Sequence, residues 1–356
     1  MRRRLLFVVG VGALAGCLFN LTERYACRTQ LDCLPGYACQ SGVCEPINPA
    51  LPTPGNAPTL PFLPGTDAGI APDDNGPQVI CDRRSWCRTQ QPTGSGRLNA
   101  IWGRTANEAW TVSEMGHLVR YDGRQWQVVD LVPALLFDVH GTASDDVWAV
   151  GIGGKVAHWN GTDTTLTEVD TRDLYRVRAV TRDDVWIVGS NGLSLRGHGT
   201  TWNPGGVPGT AHLRGLWVSP AGSVWVVGDR VAWFQDGSGW QDRSAGVDDV
   251  EMWDAWGTSD ADVWAAGGDG TLRHWDGSAW STVTPPGTTY RLHDVDGTAV
   301  NDVWAVGEYG RVVHFNGGEW SDIISPSDED LRGVWAHQPG GAWAVGRGAN
   351  IWFYRP

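Results

Sequence analysis

The chain has 356 residues, 41% of them apolar, so it can bury a large core as one big domain or two ordinary ones. A formal charge of -13 makes nucleic acid and anionic lipid poor partners for the body of the protein. Tryptophan is the compositional outlier, with 22 copies.

The chain opens on "MRRRLLFVVGVGALAGC", in which Arg2, Arg3 and Arg4 precede the short apolar run Leu5–Ala15. This is a charged n-region and an h-region too short to span a bilayer stably. Leu14-Ala15-Gly16-Cys17 resembles the lipobox of bacterial lipoproteins. The resemblance implies cleavage after residue 16, lipidation of Cys17, and an anchor in the membrane. Because residue 18 is Leu rather than Asp, it further implies the outer membrane. Several acyl chains anchor a protein stably.

Export agrees with the remaining cysteines, which are even in number. Cys27, Cys33, Cys39 and Cys44 crowd residues 17–44, a span too small to hold a hydrophobic core, so a disulfide module is expected there. Three connectivities are open. Cys81 and Cys87 form a further candidate pair. Between these groups, residues 45–80 carry nine prolines among glycines and polar residues. Such a linker is extended, and at ~3.1 Å per residue it reaches roughly 100 Å.

From residue 81 onward one phrase recurs: "GTASDDVWAVGIGGKVAHWNG" from Gly141, "GTSDADVWAAGGDGTLRHWDGSAW" from Gly257, and "GTAVNDVWAVGEYGRVVHFNGGEW" from Gly297. Trp110, Trp148, Trp186, Trp225, Trp264, Trp304 and Trp343 anchor the copies at a period of 38 to 40 residues. So constant a spacing marks a repeat architecture. Each copy divides into four short strands separated by turn signals. In the fifth these are Met252–Trp256, Asp262–Ala266, Thr271–Trp275 and Trp280–Val283. The expected fold is all-β: a seven-bladed propeller of four-stranded antiparallel blades over 81–356, behind a small disulfide module and a Pro-rich linker. The seventh copy stops after its third strand, while "RRSWCRTQ" ahead of the first copy matches a fourth. Residues 85–89 are therefore expected to complete blade seven, with Trp86 equivalent to Trp126, Trp240, Trp280 and Trp320.

The phrase resembles the WD40-like and Asp-box-like repeats of secreted bacterial seven-bladed propeller lipoproteins. The likeness covers residues 81–356 and implies the fold without carrying over a catalytic residue.

The tryptophans fill wide outer gaps between blades, and small residues fit near the axis. Aligned by eye, the innermost strand places Ala100, Asp138, Ala179, Gly215, Asp254, Asp294 and Gly333 at one level, and Arg178, Arg214 and Arg332 at another. A cation near Asp138, Asp254 and Asp294 is the one cofactor the channel suggests; none is expected. His158, His274 and His314 share a position in three blades, which keeps them apart as packing or surface residues rather than a metal set. No GxSxG, HExxH, phosphate-loop or dinucleotide fingerprint appears, so no catalytic residue is assigned.

In each blade the turns after the first and third strands repeat, whereas the loops after the second and fourth vary, and these emerge on opposite faces. The variable face is the candidate binding surface. It carries Glu114, Met115, Arg176, Arg214, Asp229, Arg230, Asp248, Asp249, Glu251, Asp269, Tyr290, Glu308, Tyr309 and Arg347. The expected function is non-catalytic: an outer-membrane-anchored propeller that binds or scaffolds an envelope or extracellular protein. The alternative is a polysaccharide-binding or polysaccharide-active propeller. In the stereotyped turns, Asp260 and Asp262 are expected to cap local backbone.

Overall fold

The computed structural model describes residues 37–40, 43–46, 80–81 and, from 86 to 355, all but 91, 93, 199, 288, 326 and 349. The signal segment, Cys17, Cys27, Cys33 and the linker lie outside the described residues. The chain forms two compact units, 1–71 and 72–356. In the first, Tyr37–Gln40 and Val43–Pro46 make an antiparallel hairpin with Cys39 directly opposite Cys44.

The second unit is a seven-bladed propeller of antiparallel sheets. The innermost strands, here called strand a, are Leu98–Thr105, Leu136–Ala143, Leu174–Thr181, Leu213–Val218, Met252–Ser259, Leu292–Ala299 and Leu331–Gln338 for blades one to seven. Strands b, c and d follow outward; in blade five they are Asp262–Gly267, Leu272–Trp275 and Trp280–Val283. Strand b is buried along almost its whole length, as in "DVWAVG" of blades two and six. Both of its faces pack against neighbouring blades, so its sequence is a continuous apolar run rather than an alternation.

Seven hydrophobic clusters hold the ring, and each is shared by two adjacent blades, including seven with one. The strand b tryptophans reach across to the next blade. Trp148 meets Trp202, Trp186 meets Trp240, Trp264 meets Trp320, Trp304 meets Tyr354 and Trp343 meets Trp126, with ring centroids 5.1–6.0 Å apart. Large-to-small truncation of a side chain so buried costs about 3–5 kcal/mol. The strand d tryptophans bolt the rim by donating indole N–H bonds backward: Trp240 to the Gly205 carbonyl at 2.9 Å, Trp280 to that of Arg243 at 2.8 Å.

Blade seven takes its fourth strand from the other end of the domain. Trp86–Gln90 pairs with Asn350–Tyr354, and Ile80–Cys81 adds a short fifth strand. Residues 86–89 of the expected span 85–89 pair as expected, and residue 85 lies outside the described residues. Cys87 is disulfide-bonded, and the residue opposite it in the register is Cys81.

In blade three the strand pairing departs from the sequence expectation at two levels of strand a. Counted from Leu174, the level of Asp138 is occupied by Arg176, which faces Val188 as Asp138 faces Val150. Ala179 lies three residues further on. By the same slip, the blade-three equivalent of Arg214 and Arg332 is Tyr175, not Arg178.

His158, His274 and His314 are part of a repeated unit inside each blade. Each ring stacks on its strand b tryptophan, with centroids 3.7 to 4.1 Å apart, and binds an aspartate: Asp146, Asp262 or Asp302, at 2.7–2.8 Å. The same aspartates accept from Thr142, Thr258 and Thr298. Asp262 is thus a tie between three strands rather than a backbone cap, and Asp260 accepts from Ser223 of the preceding blade at 2.8 Å. Where strand b begins with an acid, strand c supplies a base, as in Asp184 with Arg196. Where it begins with Ser223 or Gly341, a phenylalanine covers the indole instead: Phe234 on Trp225 and Phe353 on Trp343.

Candidate binding face and axial pockets

The axis is plugged at its middle by one arginine. Arg176 lies 3.0 Å from Asp254, 2.7 Å from Asp294 and 3.5 Å from Asp138. Burial works against its charge, but the three carboxylates outweigh that and hold the guanidinium protonated above its ordinary value. Arg176 is therefore buried within the ring rather than exposed, and it lines the pocket on the variable face. The acids expected to surround a cation or water surround this side chain. They also stitch blades: Asp138 accepts from the Val177 N–H at 2.8 Å and Asp294 from Val334 N–H at 2.7 Å. At the same level a β-carbon added to Gly215 would stand 2.7 Å from the Asp254 backbone, so the crowding expected at the axis is real.

On the variable face, above the plug, a pocket of about 210 Å³ is lined by Arg97, by Arg176 of the plug and by the second residue of every strand a: Asn99, Phe137, Tyr175, Arg214, Trp253, His293 and Arg332. Its polar residues are tied to loop acids. Arg97 pairs with Glu114 at 3.3 Å, Arg214 with Asp229 at 2.5 Å and Arg332 with Asp330 at 3.2 Å, while nearby Arg291 pairs with Glu308 at 3.6 Å. Arg214 and Arg291 both stack on Trp253, at 4.4 and 4.7 Å. His293 is 4% exposed, and among the described residues neither ring nitrogen has a partner, nor has the Trp253 indole N–H. Desolvation, with Arg332 and Arg291 nearby, pushes the imidazole down to about 3, so it is neutral at ordinary pH. A small pocket with unpaired buried polar atoms is able to receive a ligand's polar group.

Of the exposed large apolar side chains among the described residues, Met115, Leu131, Ile152, Tyr290, Tyr309 and Ile324 lie in or beside the variable loops, while Val180 and Val300 lie at stereotyped a–b turns and Val128 on an outer strand. Tyr309 is 63% exposed, stands 4.5 Å from Tyr290, and occupies the left-handed backbone region at φ 54°. A bulky residue there is strained, unlike Gly153 at φ 62° in blade two. Arg230 shares that conformation at φ 63°, and Arg347 is exposed in the corresponding loop of blade seven.

The acidic sector is less free than its sequence implies. Asp249 pairs at 3.2 Å with Arg273, whose side chain is 2% exposed, and Asp269 accepts from the Thr271 N–H at 3.1 Å. Asp248 accepts from the Gly246 N–H at 3.3 Å, and Glu251 bridges the backbone of Asp229. The pocket residues Trp253, His293 and Arg332 are absent from the binding face expected from sequence. Counting two residues into each strand a from its leading Leu or Met would have found them.

On the opposite face, below the plug, a larger cavity of about 420 Å³ is lined by the fifth residues of strand a: Trp102, His140, Arg178, Trp217, Trp256, Asp296 and Trp335.

No family model matches the chain, and no curated relative does. Solved propellers match it in fold. A structure described as YCF48 bound to D1 peptide is 17% identical, covers 78% of this chain and all of its own, and superposes with a TM-score of 0.65. Virginiamycin B lyase from Staphylococcus aureus is 10% identical over 76% of this chain and 99% of its own, at 0.66. The WD40 propeller domain of Doa1 is 12% identical over 75% and 95%, at 0.63.

Proposed function

We propose that the chain is a non-catalytic protein-binding propeller, tethered to the bacterial outer membrane through lipidated Cys17, which engages an envelope or extracellular protein with its variable face. The observation that carries this reading is that six exposed large apolar side chains, Met115, Leu131, Ile152, Tyr290, Tyr309 and Ile324, lie in or beside the loops of the variable face, which also holds the pocket of Trp253 and His293. Exposed apolar surface rimmed by polar residues is what a protein interface requires. The peptide held by the YCF48 structure supports the same use of the fold. The chemistry of the pocket supports the non-catalytic part of the reading: desolvation pushes His293 down to about 3, and the neighbouring loop acids are engaged by arginines.

The test is crosslinking in native envelopes alongside a glycan array, comparing wild type with Tyr309→Gly combined with Met115→Ser. Glycine relieves the left-handed turn, so the double variant keeps its fold and loses only exposed contact surface. The expected result is a protein crosslink that disappears in the variant and no saturable glycan signal. Unchanged crosslinks, or glycan binding that depends on these residues, would overturn the assignment. In the same cells Cys17→Ser should move the protein to the soluble fraction; membrane retention would remove the lipid from the proposal.

A further inference from the structure

The cavity on the stereotyped face has no part in the reading above. Its wall is aromatic. Trp102, Trp217, Trp256 and Trp335 all line it, each laid along the ring so that its benzo edge reaches the glycine of the next blade: Gly141, Gly257, Gly297 and Gly103. The remaining fifth residues are polar. His140 accepts from the Ala179 N–H at Nδ1, 3.2 Å, which leaves its proton on Nε2, and desolvation keeps the ring neutral.

The charge at the floor does not balance. Asp138, Asp254, Asp294 and Asp296 face Arg176 and Arg178 alone, four carboxylates against two guanidiniums. Arg178 is committed to Asp138 at 3.1 Å and Asp254 at 3.8 Å. Asp296 accepts from the Ala336 N–H at 2.8 Å and, among the described residues, forms no ion pair. Desolvation pushes Asp296 up to about 7 and Asp294 well above the ordinary carboxylate range, as expected where a buried cluster lacks a counter-cation.

We infer that this cavity binds an organic ammonium group on an apolar stem, with the four indoles around the stem and head and Asp296 as counter-ion. Aromatic walls attract cations through the ring quadrupole, and an unpaired carboxylate among them supplies the complementary charge. About 420 Å³ is ample for such a group, in the range of small-molecule sites. The shared chemistry admits two sources: a free amine, or a lysine side chain presented by a protein.

The test titrates the full mature chain at pH 8 with tetramethylammonium, n-butylammonium, Nα-acetyl-lysine amide and the neutral 3,3-dimethylbutanol, using calorimetry and indole fluorescence. Saturable binding of at least one ammonium is expected, with none by the alcohol, and Asp296→Asn should weaken it about tenfold or more. Binding of the lysine amide identifies a protein lysine; binding of the simple ammoniums alone identifies a free amine. No saturation by any ammonium, equal binding of the alcohol, or an unaffected Asp296→Asn would overturn the inference. The amine-against-alcohol comparison on wild type decides the matter even if the variant fails to fold. Tyr309→Gly lies on the other face and leaves this binding intact, so the two assignments fail separately.

Discussion

Asp296 and Asp302 stand six residues apart and titrate in opposite senses. At Asp302, burial raises the carboxyl, but bonds from His314, Thr298 and the Gly340 N–H more than reverse that and hold it below its ordinary value. Its stabilisation is present above the unfolded carboxylate value of about 3.9 and is lost as pH falls through the lower folded value. At Asp296 desolvation wins over the Ala336 N–H and Arg178, and the folded value rises to about 7. Between about pH 3.9 and 7 the folded chain holds a proton that the unfolded chain has released, so stability declines across that window as pH rises. The titratable groups that share the cavity with Asp296 are Arg178, Asp138, Asp254, Asp294 and neutral His140. Asp296→Asn is uncharged throughout. Its melting temperature should therefore exceed that of wild type by several degrees at pH 8 and nearly match it at pH 4. Scanning calorimetry at the two pH values checks this, and equal differences at both would show that Asp296 is ionised normally.

At the scale of the strand, each blade carries a record of its neighbour. Where the fifth residue of strand a is Trp, the next blade has glycine at the following position; a β-carbon on Gly297 would meet the Trp256 ring at 2.6 Å as well as the Asp302 carbonyl oxygen at 2.5 Å. Where the fifth residue is His140, Arg178 or Asp296, the next blade carries Ala179, Val218 or Ala336. Gly297→Ala should cost about 1–3 kcal/mol by overpacking. Adding Trp256→His should recover part of that loss, as a positive coupling in a denaturant double-mutant cycle. Additive losses would mean that the backbone, not the indole, excludes the methyl group. The same strand shows why the fold was legible and the interior was not. The period, the turn glycines and the strand b phrase repeat in every copy, so blade number and strand order followed directly. Blade three lacks the Gly-Thr marker, having Ala179 and Val180 instead, and its Arg176 and Arg178 both resemble the arginines of other blades. Alignment by residue type therefore slipped by three, which hid the axial plug. The pockets were hidden for a different reason: each is a ring of unlike residues, one per blade, and their shared level exists only in the pairing register. The loop acids looked free because their arginine partners, such as Arg97 for Glu114, lie well away in sequence.

For the whole molecule, the ring exists because its two ends meet. Without Trp86–Gln90 the strand Asn350–Tyr354 would become an open edge, a template for unwanted pairing. The strand contributes more than backbone. Trp86 is fully buried in the cluster between blades six and seven and donates its indole N–H to the Ile324 carbonyl at 3.0 Å. Thr89 donates to the Ile351 carbonyl at 3.1 Å and accepts from the Trp126 indole at 3.0 Å, tying blade seven to blade one. Truncation of Trp86 alone should cost about 3–5 kcal/mol. Deleting residues up to 91 removes all of these contacts and exposes the Tyr354 and Trp304 rings besides. That truncation should melt far below wild type and aggregate through the exposed edge. Deleting 18–78 removes the linker and the hairpin unit and keeps the strand, so it should melt within a few degrees of wild type. Calorimetry with light scattering on the two proteins separates the cases. If they melt alike, blades one to six carry the stability alone, and the seventh is an appendage rather than the clasp of the ring.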